Sequence, residues 1–164
     1  MRASRFLRVA LILTLLLSMA QAAEKSDAPL RAFLDQWVKA FTAKDTKAVM
    51  ALYAPDVLAY DIVPPLAYVG KDAYGKDYQE FFADFDGPVG MEIRDLHTGM
   101  SGDLGYILAF EHLTGTSKSS GKVDVWLRIT TIVRKIDGRW LDIHDHASVP
   151  ADFATGKAAL DLKP

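Results

Sequence analysis

An α+β fold, with helices preceding an antiparallel sheet, is predicted by a change of hydrophobic rhythm and by one turn. Leu30, Phe33, Leu34, Trp37 and Phe41 recur at helical spacing, and Tyr74, Tyr78, Phe81, Phe82 and Phe85 repeat the pattern later. Beyond residue 88 the apolar residues alternate instead, over Val89–Leu96, Leu104–Thr114, Lys122–Lys135 and Arg139–Val149. The last two of these runs flank Asp137-Gly138, the strongest hairpin signal in the chain. Helices followed by a meander mean α+β and not an alternating α/β chain.

Each element has its punctuation. Asp27-Ala28-Pro29 places a capping aspartate and a first-turn proline before the first helix. Lys44-Asp45 breaks that helix, and Asp45 or Thr46 caps a short second one carrying Val49, Met50, Leu52 and Tyr53, which Pro55 ends. Val57 to Ile62 reads as a strand stopped by Pro64-Pro65. Gly70 and Asp72 open the third helix, and Gly87-Pro88 closes it. Gly99–Asp103 and the polar loop Gly115–Gly121 separate the later strands.

A tight turn at Asp137-Gly138 sets a register in which Ile136 faces Arg139, Thr130 faces Asp145 and Arg128 faces Ala147. Side chains alternate along strands. Leu141, Ile143, Asp145, Ala147 and Val149, opposite Ile132, Thr130, Arg128 and Trp126, then form the more apolar face, which is expected toward the helices. That places Asp145 and Arg128 inside, where each charge needs a partner. A bulge would reverse part of this assignment.

Residues 1–22 read as a signal peptide outside the fold. Arg2, Arg5 and Arg8 precede an apolar run from Val9 to Ala20, and Ala20-Gln21-Ala22 offers a small-x-small cleavage site. The run of 12 residues, interrupted by Thr14 and Ser18, is shorter than the roughly 20 that a membrane span needs. The expected product is a periplasmic or secreted domain of residues 23–164, with no stable membrane insertion after cleavage. Three of the 19 basic residues go with the leader, leaving 16 against 21 acidic ones and a net charge of −5. A mildly acidic domain without a basic run argues against nucleic acid as a partner. The absence of cysteine excludes disulfides, thiol nucleophiles and thiolate metal sites. Half of the residues are hydrophobic, enough for a core that stands without cross-links.

Three strings carry a resemblance: Trp37 to Asp45 (WVKAFTAKD), Leu52 to Asp61 (LYAPDVLAYD) and Asp137 to Pro150 (DGRWLDIHDHASVP). With the order of elements, they resemble the SnoaL-like and ketosteroid-isomerase-like branch of the nuclear transport factor 2-like superfamily. The resemblance spans nearly all of residues 28–150. It implies a cone, in which three helices pack on a strongly curved, mainly antiparallel sheet around a small-molecule pocket. It does not fix function, because this fold hosts isomerases, cyclases, dehydratases, association modules and transport adaptors. In the ketosteroid isomerases an aspartate base works beside a tyrosine and a protonated aspartic acid. Carried over, the base falls on Asp61, the tyrosine on Trp37, and the protonated acid near Thr130 or Thr131. Only the first matches in type, so steroid isomerisation is not supported.

Asp61 is the leading candidate for catalysis, since an aspartate at an apolar mouth is a usable proton acceptor; the competing reading is an ordinary loop aspartate. His112 shares a strand face with Tyr106, Leu108 and Phe110, which by the resemblance lines the pocket. It is the second catalytic candidate, against a structural histidine. Trp37, Tyr106, Phe110, Trp126, Arg128 and Asp145 are the expected ligand-binding residues, with Arg128 and Asp145 more simply a pair satisfying each other. Asp142, His144 and His146 alternate on one face and invite a metal, but lack a third firm ligand, so no metal site is assigned. That face is expected outside, where Trp140, His144 and His146 suit a homodimer. No phosphate loop, dinucleotide fingerprint or nucleophile elbow occurs, and no cofactor is implied. Three functions follow: an enzyme moving a proton on a small apolar molecule, a non-catalytic binding protein, or an association module.

Overall fold

The computed structural model describes residues 27–164. The signal-peptide reading of residues 1–22 lies outside the described residues. Helix α1 (Ala28–Thr42) buries the predicted stripe together with Ala40. Asp27 does not cap it through its side chain. Its carboxylate accepts from Thr98 Oγ1 at 2.6 Å and Arg31 Nε at 3.1 Å, tying the helix start to the sheet. Lys44 closes the helix in a left-handed conformation, and its ammonium donates to the Phe85 and Gly87 carbonyls. Helix α2 (Thr46–Met50) is capped by Asp45, whose carboxylate accepts from the Ala48 amide at 2.9 Å. Asp45→Ala is expected to cost about 0.5–2 kcal/mol of stability, read by urea unfolding.

Strand β1 (Tyr53–Tyr60) starts four residues earlier than the sequence predicts. Pro55 lies within it, where the ladder to its neighbour shifts register. Strand β2 (Tyr68–Val69) and helix α3 (Lys71–Asp84) follow. Strands β3 (Phe85–Ser101), β4 (Leu104–Ser117), β5 (Gly121–Ile136) and β6 (Arg139–Ser148) form the meander. Gly87-Pro88 sits inside β3 at an irregular stretch and does not end the helix. The strand order is β2-β1-β6-β5-β4-β3, antiparallel except for the parallel β1–β6 pair. A small hairpin, β7 (Ala151–Asp152) with β8 (Lys157–Ala158), ends the chain.

The sheet has an inner face toward the helices and an outer one. On β5 the inner residues are Val125, Leu127, Ile129, Thr131 and Val133, all buried. This is the opposite face from the one the simple hairpin register predicts. Val133 pairs with Asp142, then the register shifts, and Ile132 pairs with His144, Thr131 with Asp145 and Ile129 with Ala147. The extra residue at the bulge keeps Asp145 inside but sends Arg128, Thr130 and Trp126 outside. Asp142 and Asp145 are both buried on the inner side, while His144 and His146 point away. Asp142 therefore does not share a face with the histidines. Among the described residues no three metal-ligating side chains converge.

Candidate functional site: an acidic cavity under the aromatic helix

The helices contribute aromatic rings and the sheet contributes carboxyl groups. Trp37 and Phe41 stack on α1 with centroids 4.9 Å apart, and Tyr74 and Tyr78 meet edge to face on α3 at the same separation. Below them lies a cavity of about 240 Å³. This is smaller than the roughly 300–1,000 Å³ of a drug-sized site, so it suits one ring or a short chain. Asp61, Asp77, Glu111 and Asp145 line it, and no lysine, arginine or histidine does among the described residues.

Asp145 is the best-anchored of these acids and is 8% exposed. Its Oδ2 accepts from the Tyr53 hydroxyl at 3.1 Å, and Oδ1 accepts from Thr131 Oγ1 at 3.2 Å. The Tyr53 hydroxyl in turn accepts from Trp37 Nε1 at 3.2 Å and lies 3.2 Å from the Tyr78 hydroxyl. The Tyr74 hydroxyl stands between two carboxyls, 3.2 Å from Asp61 Oδ2 and 3.4 Å from Asp145 Oδ2. It has one proton. It donates to one carboxylate and accepts from the other when that one is protonated.

Burial drives the titration of this cluster. It raises Asp145 above the usual carboxylate range against the pull of the Tyr53 hydroxyl, with the nearby Asp61 charge adding to the rise. Asp142, 2% exposed behind the cavity, is raised well above by burial and then by the Asp145 charge. Glu111, 6% exposed, is raised well above by burial, then by Asp145 and Asp61, and no hydrogen bond opposes that rise. Tyr53, Tyr74 and Tyr78 are also pushed well above their ordinary range, chiefly by burial, and stay protonated donors.

The structure brings Trp37, Asp61 and Asp145 to the cavity. It places Tyr106, Phe110, His112, Trp126 and Arg128 elsewhere, on the outer face. Ile107, Glu111 and Leu113 are the inward residues of β4, so its even-numbered side chains point out. His112 stacks on Trp126 with centroids 4.3 Å apart, its Nε2 2.9 Å from Asp124 and its Nδ1 3.4 Å from Glu92. Arg128 is exposed and does not pair with Asp145. Asp77 and Glu111 are the lining acids that the sequence reading missed, and Glu111 is the more deeply buried. Its signal was present: β5 carries apolar residues at Val123, Val125, Leu127, Ile129 and Val133, and Glu111 pairs with Leu127. Taking that row as inner turns Glu111 inward.

Helices packed on a bent, mainly antiparallel sheet define the nuclear transport factor 2-like class. The structure aligns with a crystal structure of a nuclear transport factor 2-like protein of unknown function from Pseudomonas putida at 29% identity and TM-score 0.78. That match covers 86% of this chain and 98% of the other. A ketosteroid isomerase-like protein from Erwinia carotovora aligns at 25% identity and TM-score 0.64, over 74% and 93% of the two chains. A nuclear transport factor 2-like superfamily protein from Salmonella enterica shares the fold at 14% identity and TM-score 0.70, over 83% and 99%. No curated protein matches the sequence. The family model of the SnoaL-like domain matches residues 30–152, and the chain belongs to that family.

Proposed function

We propose that this is an exported protein that moves a proton on a small apolar molecule, with Asp61 as the proton acceptor at the cavity mouth. One observation carries the reading: Asp61 and Asp145 are joined through the Tyr74 hydroxyl at a cavity walled by aromatic and aliphatic side chains. Two carboxyls in unlike surroundings divide acid and base roles between them. Asp145 is deep and raised by burial; Asp61 stands half-exposed at the mouth. When Asp145 is ionised, Tyr74 donates to it and accepts from a protonated Asp61, so a proton taken at Asp61 passes to Tyr74 as the Tyr74 proton passes to Asp145.

The test uses phenylacetone, a single-ring ketone with exchangeable α-hydrogens, in deuterated buffer followed by NMR. The protein is expected to accelerate α-deuteration, and Tyr74→Phe is expected to slow it by about tenfold, less than the roughly 10²–10⁴ of a group that itself takes the proton. Binding without acceleration would leave a non-catalytic binding protein with the same cavity.

A second copy of the chain is the proposed partner of the outer face. Tyr60, Tyr106 and Leu108 are 38%, 43% and 39% exposed there, an apolar strip that solvent covers poorly. Trp140, expected on this surface, instead packs against the core. His144 is held by the Leu58 carbonyl at 2.8 Å, so its Nδ1 is the donor. Light scattering should report a dimer, and Leu108→Asp should return a monomer with unchanged circular dichroism.

A further inference from the structure

The cavity has an excess of negative groups with nothing of the opposite sign to meet them. Asp145 arrives from β6, Glu111 from β4, Asp61 from the end of β1 and Asp77 from α3. Behind them Asp142 adds another acid within β6. The described residues supply no basic lining side chain. Asp145 is satisfied by hydroxyls, and Asp61 accepts from Tyr74 and from the Ile62 amide. Glu111 differs. It is 94% removed from solvent, lines the cavity, and receives no hydrogen bond among the described residues. An acid this buried and without a donor is costly, and its carboxyl opens on the cavity, where a ligand group can meet it.

The walls around Glu111 are aromatic. Trp37, Phe41, Tyr74, Tyr78 and Phe81 all face the space. Ring faces attract cations, and the attraction grows when water is removed. An anionic ligand would meet four carboxyls and is rejected by the same charges. A neutral ligand could use the rings but would leave Glu111 unmatched.

We propose that the cavity binds an organic cation, an ammonium group on a single-ring or short-chain body, with Glu111 as its principal counter-charge and Asp145 as the second. The inference rests on reading the cavity as a small-molecule site and adds the charge of the ligand to it. The ammonium sits between Glu111 and the ring faces, and the apolar body extends past Leu113 and Leu127 toward the mouth. Both acids hold protons more tightly than usual in the empty cavity, so cation entry releases a proton and affinity rises with pH.

Benzyltrimethylammonium is a permanent cation of this size, and neopentylbenzene is its uncharged counterpart of the same shape. Neither has a reactive hydrogen, so binding alone is read, through the NMR resonance of the Trp37 indole N–H. At about pH 8 the cation is expected to bind roughly tenfold more tightly than the neutral compound, with that advantage shrinking toward about pH 5 as the acids protonate. Glu111→Gln should weaken the cation by about five- to tenfold and leave neopentylbenzene within about twofold, which also shows that the variant is folded. Neopentylbenzene binding as tightly as the cation, or Glu111→Gln sparing the cation, overturns the charge assignment while the pocket stands. If neither compound moves the Trp37 resonance, the small-molecule reading falls with it.

Discussion

Asp61→Asn is expected to lower phenylacetone α-deuteration by about 10²–10⁴-fold, the contribution of a positioned general base. The amide keeps the size of the side chain and can still accept from Tyr74, whose hydroxyl lies 3.2 Å from Asp61. It cannot take a proton from carbon. Binding of the ketone should change little, because the cavity walls are Trp37, Phe41, Leu127 and Ile129 and remain in place. A loss of rate at constant affinity assigns the group to the transition state. If the variant retains the wild-type rate, Asp61 is a mouth residue and the proton goes elsewhere. Asp145, reached through Tyr74, and Glu111 are then the acceptors to substitute next.

Glu111→Gln should stabilise the protein by about 1–3 kcal/mol near pH 8, because a neutral amide replaces a carboxyl whose ionisation burial opposes. The sign follows from linkage. The folded chain holds the Glu111 proton more tightly than the unfolded chain, because burial and the Asp145 and Asp61 charges disfavour its carboxylate. The stability from that proton is complete below the ordinary glutamate value of about 4.3 and is lost as pH rises through the higher folded value. The wild type thus weakens toward neutral pH, and the glutamine variant escapes that loss. Near pH 4 the two should agree within about 0.5 kcal/mol. Urea unfolding at both pH values decides it. A glutamine variant less stable at pH 8 would show that the Glu111 carboxylate is itself a stabilising charge.

Local patterns determined most of the architecture. The 3.6-residue stripe of α1 needs no partner to be recognised, because the helix decides which of its own residues share a side. Asp45 caps α2 through a contact three residues away, and Asp137-Gly138 closes its hairpin within two. These are short-range chemistries, readable from neighbours in the chain. The resemblance carried by residues 37–45, 52–61 and 137–150 pointed to the family that residues 30–152 match.

Which face of each strand is inner was decided by strand pairing in the tertiary structure, with only the apolar row of β5 legible along the chain. A strand offers two sides, and a one-residue slip exchanges them. The shift between Ile132 and Val133 did this to β5, moving Arg128 and Trp126 out and bringing Thr131 opposite Asp145. On β4 the aromatic residues Tyr106 and Phe110 look like core, yet the apolar row of β5 takes the inner side and its partner Glu111 comes with it. The cluster therefore draws Tyr53, Tyr74, Glu111 and Asp145 from four separate elements. Their convergence depends on how sheet and helices close on one another, and no spacing along the chain encodes that.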